Sequence, residues 1–194
     1  MKKIIVLVLA VLALVAFFYF RTAKNFMNCE FQFERVSKVL VAGVDITHVD
    51  GVNKLNIMDA AKLYAAVNGG NLMMDLDVDL RVKNPNEEPA QLDGMDYLLW
   101  IDDRQVAEGS LEQKVTISAK EEQTVNLPVR VDLKDVLTSD KLDVIADFVF
   151  GLASDNVDAS RVKVSLKPYF TIAGETVKFP SYITVGGDQM MPKK

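Results

Sequence analysis

The chain has 194 residues, 49% of them hydrophobic, which is enough for one domain with a real core and cramped for two. Four of the 22 basic residues, Lys2, Lys3, Arg21 and Lys24, precede the first acidic residue, Glu30, leaving 18 basic against 27 acidic side chains and a net charge of −9 for the remainder. That balance repels phosphate backbones and anionic headgroups, so it argues against nucleic acid as a partner and against peripheral docking on acidic lipid.

Ile4 to Phe20 is unbroken apolar sequence of about 17 residues, close to the length that spans a bilayer at ~1.5 Å per residue. Lys2 and Lys3 ahead of it also fit a secretory signal peptide. Cleavage after Ala16 would leave Leu14, and cleavage after Ala23 would leave Arg21, at a position that wants a small residue. Residues 1–24 are therefore read as an uncleaved signal anchor, with the membrane as partner through Ile4–Phe20. A two-lysine cytoplasmic tail puts the rest of the chain on the extracytoplasmic side, periplasmic in a bacterium. Cys29 follows "NFMN", without the small residue a bacterial lipoprotein places before its cysteine, and reads as a juxtamembrane thiol. As the sole cysteine, it excludes an intramolecular disulfide and a cysteine metal cluster.

From Glu30 onward the dominant signal is alternation of period two, the mark of strands with one buried face. In chain order the spacing predicts strands over Phe31–Phe33 with Val36–Ile46, Asp75–Lys83, Tyr97–Ile101, Lys114–Ile117, Val125–Leu133, Arg161–Phe170 and Glu175–Val185. Turn residues separate them: Asp50-Gly51, Gly69-Gly70, Asn84-Pro85-Asn86, Asp102-Asp103, Gly174 and Gly186-Gly187. Two segments have helical spacing. Ile57 to Gly70 is capped at Asn56 and stopped by its glycine pair, and Leu142 to Leu152 opens at Ser139-Asp140 and closes at Asp155-Asn156. Many short strands with such punctuation make a mainly β, antiparallel sandwich. The expected organisation is an anchor at 1–24, a strand and short helix at 25–71 packed on or leading into the domain, the sandwich at 72–187, and a tail at 188–194.

Within "LRVKNPNEEP", Pro85 cannot donate to a ladder and pushes Asn84 toward extended geometry, so pairing must stop just after Lys83. Asn84 and Asn86 can bond the nearby backbone through their side chains. Downstream come a strand containing Tyr97, a tight turn, "VAEG" ending in Gly109, "ISA" from Ile117 to Ala119, and "VNLPVRV" from Val125 to Val131. This ensemble resembles the LEA14-like domain (late embryogenesis abundant group 2, or water-stress and hypersensitive-response). Two departures stand out: Asp102-Asp103-Arg104 occupies a turn that glycine often completes, and Cys29 to Asn71 has no counterpart. The resemblance implies an immunoglobulin or fibronectin III-like sandwich, no catalytic residues, no cofactor and no metal. It also implies an association with desiccation and stress, with Asn84, Pro85, Asn86, Tyr97 and Gly109 as structural motif positions.

Other chemistry finds less support. Asp75, Asp77 and Asp79 share one strand face, where three carboxylates could hold Ca²⁺, yet a strand spaces them roughly 7 Å apart. A solvated face paired across strands with Lys163 and Lys167 is the plainer account. His48, the sole histidine, has no nominated partner for catalysis and reads as a turn residue. Asp93, Asp96, Asp102 and Asp103, near Trp100, would have to converge in a cleft to act as a glycosidase pair. Met73, Met74, Met95, Phe148 and Phe150 read as core before they read as an adaptable binding surface. The expected function is a non-enzymatic, membrane-tethered protective or interaction module at the envelope, with an envelope protein or lipid as possible partner. The alternative is a lipid-binding or envelope-assembly accessory, with an apolar groove between the Leu142–Leu152 helix and a sheet. A hydrolase is the remote third.

Overall fold

The computed structural model describes residues 24–49, 51–136, 142–153, 161–172 and 175–186, together with Ala10, Val11, Ala13, Leu14, Phe17 and Arg21. Most of the proposed span Ile4–Phe20 lies outside the described residues, as does the tail at 188–194. No helix among the described residues is long and apolar enough to cross a membrane.

Lys24 to Met27 are helical and lead through Asn28 and Cys29 into β1 (Glu30–Val41). A two-residue turn, Ala42-Gly43 with φ of 47° and 77°, returns the chain as β2 (Val44–Asp45). After a 3-10 turn (Val52–Lys54) comes α1 (Ile57–Gly69), then β3 (Met73–Lys83), β4 (Ala90–Leu92), β5 (Gly94–Ile101), β6 (Arg104–Leu111), β7 (Val115–Ile117) and β8 (Glu122–Asp132). A short helix α2 (Leu133–Val136) and α3 (Leu142–Ala153) precede β9 (Val162–Ile172), β10 (Glu175–Lys178) and β11 (Ile183–Gly186).

The strands form two antiparallel sheets and a small ribbon. One sheet runs β2-β1-β3-β8; the other runs β10-β9-β5-β6, with β11 also on β9; β4 pairs with β7. In β3 the alternation buries Met74, Leu76, Val78, Leu80 and Val82, which meet Leu99, Ile101, Val164 and Leu166 of the second sheet in one core. Met95 and Phe150 belong to that core, and Phe148 packs partly buried against it. β1 lies along the whole of β3, from Glu30 opposite Lys83 to Val41 opposite Met74.

The helices follow their caps. The Asn56 side chain accepts the Asp59 N–H at 2.9 Å, and Gly70, at φ 77°, sends its own N–H to Ala66 and Val67. The expected cap and stop of α3 lie outside the described residues, but its Val149, Leu152 and Ala153 are buried. The Asp102-Asp103 hairpin needs no glycine, because both aspartates take positive φ, 49° and 60°, as a two-residue turn requires and aspartate tolerates.

One cross-strand expectation is corrected. Asp75 pairs with Arg130 of β8 at 2.6 Å, and Asp79 with Arg35 of β1 at 3.1 Å and Asn126 of β8 at 2.8 Å. Lys163 and Lys167 lie on β9 in the other sheet, where Lys163 pairs with Asp103 and Lys167 lies over the Tyr182 ring. Alternation fixes the face a side chain occupies and leaves open which strand is its neighbour.

Candidate functional site

The Asn-Pro-Asn turn at the end of β3 gathers the segment before β4 and the loop between β7 and β8. Asn84 is fully buried, and its amide nitrogen lies 2.9 Å from the Glu88 carbonyl, 3.1 Å from that of Ile117 and 3.0 Å from that of Ser118. Its side-chain oxygen accepts the Asn86 N–H at 3.0 Å and the Asn86 amide at 2.6 Å. Lys120, at φ 61°, donates its ammonium to the Pro85 carbonyl at 2.8 Å and its N–H to the Asn86 carbonyl at 3.2 Å. Pro85 thus ends the ladder, and Asn84 satisfies the backbone of the loop that arrives from β7. Most of the polar contacts of this cluster hold backbone, and the rest tie its side chains to one another, which gives it a structural role.

Tyr97 and Gly109 form a second lock. They face each other across β5 and β6, and the Tyr97 hydroxyl donates at 2.9 Å to the Pro128 carbonyl on β8, which joins the two sheets. A Cβ at Gly109 would stand 2.5 Å from that hydroxyl and 2.7 Å from the ring carbon bearing it, so the tyrosine lies where a side chain would be. Gly109→Ala is expected to cost about 1–3 kcal/mol by overpacking. Tyr97→Phe should cost about 1 kcal/mol, from the lost bond. Urea titration of both variants checks this, and a neutral Gly109→Ala would contradict the lock.

The remaining candidates are dispersed. Asp93 accepts the Thr171 N–H at 2.7 Å, Asp96 pairs with Lys178 at 2.5 Å, Asp102 with Arg161 at 2.7 Å and Asp103 with Lys163 at 3.0 Å. Asp96 lies early in β5 and Asp102 in the turn just past its end, about 20 Å apart along the strand at ~3.3 Å per residue, so these two do not converge as a glycosidase pair. His48 is exposed at φ 62°, and its N–H caps the Ala153 carbonyl at the end of α3 at 3.1 Å. Among the described residues no three His, Cys, Asp or Glu side chains cluster as a metal site. Cys29 is buried, and burial pushes its thiol up to about 11, so it is protonated and shielded at neutral pH. An open depression of about 570 Å³ lies beside α1, bounded by Lys62, Ala66, Gly43 and Met73 and rimmed by the Asp75–Arg130 pair. Its lining is of mixed polarity. The buried residues of α3 are spent on the core instead of a groove.

Several carboxylates are held below the ordinary range: Glu34 by its bond from Arg81, Asp45 by Thr47, and Asp102 by Arg161. Burial opposes the same shift at Asp96, where bonds from Lys178 and Ser110 outweigh it. Each folded pKa lies below its unfolded value, so the stability these groups add is present above about pH 4 and is lost as pH falls through the lower folded values. Denaturant titrations should therefore give flat stability from pH 6 to 8 and a decline setting in near pH 4; a decline starting near pH 6 would contradict this.

Sequence reasoning missed the residues that reach the turn from the N-terminal side. Asn86 donates its amide to the Asn25 carbonyl at 2.7 Å and accepts from the Asn28 amide at 3.3 Å, while Arg21 pairs with Glu88 at 2.7 Å. Phe26 is fully buried against Phe31. The available signal was an aromatic residue between two asparagines just after an apolar run.

The sequence model of the late embryogenesis abundant protein family (LEA_2) matches residues 79–182, just over half of the chain and spanning the motif. No curated protein matches. Among solved structures, the chain is similar to a late embryogenesis abundant protein solved in solution, at 14% identity over 95% of this chain and 86% of that one, with a TM-score of 0.34. It is also similar to a protein from Archaeoglobus fulgidus, at 16% identity over 60% of this chain and 86% of that one, with a TM-score of 0.32. A lipoprotein from Bacillus subtilis matches at 17% identity over 81% of this chain and 35% of that one, with a TM-score of 0.33. On the match of the family model, this chain belongs to the late embryogenesis abundant (LEA_2) family.

Proposed function

We propose that the protein is a non-enzymatic, membrane-tethered module on the extracytoplasmic side of the cell envelope, which protects or holds proteins there during desiccation and related stress. Family membership supports the stress association. The observation that carries the tether is the exposure of Val11, Leu14 and Phe17, helical residues at 53%, 56% and 60%, upstream of a Phe26 buried in the domain. Exposed apolar side chains on helical residues favour a bilayer. The strand orders β1-β3-β8 and β6-β5-β9-β10, with α2 and α3 in the connection from β8 to β9, support an immunoglobulin or fibronectin III-like sandwich. Dispersed, individually paired carboxylates support a role without catalysis.

A drying assay tests the protective reading. Vesicles carrying the full-length protein are dried and rehydrated with a desiccation-sensitive enzyme on their surface. Greater recovery of enzyme activity than with bare vesicles is expected. Equal recovery would remove protection and leave interaction as the role.

A further inference from the structure

The carbonyls in the last turn of a helix have no intrahelical partner. Where the N-terminal helical residues end, the domain takes up one such group, the Asn25 carbonyl. The Asn25 carbonyl accepts from the Asn86 amide at 2.7 Å and from the Cys29 thiol at 3.4 Å, and Asn28 closes the turn by donating its N–H to Lys24 at 3.2 Å and its side chain to Asn86 at 3.3 Å. Phe26 is sealed in the core edge-on to Phe31, with ring centroids 5.3 Å apart, and Arg21 reaches Glu88 at 2.7 Å. Only Asn28 and Cys29 separate Met27 from the first residue of β1, so there is no polar or glycine-rich stretch to act as a flexible linker.

We infer that the second asparagine of the motif, Asn86, is the seat of the N-terminal helix, making the joint between tether and domain rigid. The consequence rests on the tether reading. β1 and β3 run from this seat to the opposite end of the domain, about 35 Å at ~3.3 Å per residue. There α1 exposes Ile57, Met58 and Tyr64. The seat and that apolar helix face therefore stand at opposite ends of the domain.

Asn86→Asp tests the seat, because it keeps the shape while replacing the amide donor with a carboxylate facing the Asn25 and Asn84 oxygens. Full-length protein is reconstituted in phosphatidylcholine vesicles and amide exchange is followed at Asn28 and Cys29. These amides are expected to exchange as slowly as those of early β1 in the parent, and at least tenfold faster in Asn86→Asp, with β5 and β9 unchanged. Should Asn86→Asp loosen the whole fold, Arg21→Ala decides, with an expected rise of about threefold confined to residues 24–29. Unprotected amides at 28 and 29 in the parent, or no response to either substitution, would overturn the inference. Flotation of the same samples reports the tether separately: protein that stays protected without floating retains the seat and loses the membrane reading.

Discussion

Asn84→Ala is expected to lower the unfolding free energy by about 3–5 kcal/mol. The residue is fully buried, and its amide satisfies carbonyls of Glu88, Ile117 and Ser118 while its oxygen takes the Asn86 N–H. Each backbone group left without a partner away from water costs about 1–3 kcal/mol, and those costs add only in part because the cluster shares its partners. Asn84→Asp should be no milder, since a carboxylate would then face three carbonyl oxygens. Pro85→Ala should cost under about 1 kcal/mol, because it loosens the turn without removing a bond. Urea titration gives the comparison: a lower midpoint with unchanged slope for Asn84→Ala is the expected pattern, and a loss below about 1 kcal/mol would show that the turn does not hold these segments.

Phe26→Ala comes next in size, at about 3–4 kcal/mol, as for other fully buried aromatics truncated to alanine. For a domain of this length that corresponds to a melting point lower by roughly 10 °C. Truncation before Asn25, which keeps Phe26, should leave stability close to that of the full chain, whereas truncation before Glu30 should reproduce or exceed the Phe26→Ala loss. A Phe26→Ala variant melting within about 2 °C of the parent would mean that the folded unit begins later, at β1.

Much of the fold was legible because strand alternation is a local property. Leu76, Val78, Leu80 and Val82 declare one buried face by spacing alone, and they are buried. Asn56 and Gly70 declare both ends of α1 by the same kind of local chemistry, a side-chain acceptor at one end and a residue free to take positive φ at the other. The β6 strand, Arg104–Leu111, was less visible, since Glu108, Gly109 and Ser110 break the apolar rhythm. That glycine is present because Tyr97 occupies its side-chain space, a fact about the neighbouring strand.

The site shows the same division. Pro85 announced that pairing stops after Lys83, and β3 ends there. What Asn84 and Asn86 do beyond the turn depends on partners some thirty to sixty residues away, Ile117, Ser118 and Asn25, which no local pattern nominates. The pairing of Asp75 with Arg130 in place of a β9 lysine has the same origin. Register between strands is set by the packed sheet, and short-range spacing carries no record of it.

The central claim, a folded late embryogenesis abundant domain held at a membrane by residues ahead of Asn25, is tested most directly by partition. Full-length protein and a form beginning at Asn25 are expressed side by side, and their membranes are washed with high salt and alkaline carbonate. The account predicts that the full-length chain stays in the pellet while the shorter form is soluble, monomeric and cooperatively folded. Recovery of the full-length chain in the wash, or a shorter form that is soluble only when unfolded, would contradict it.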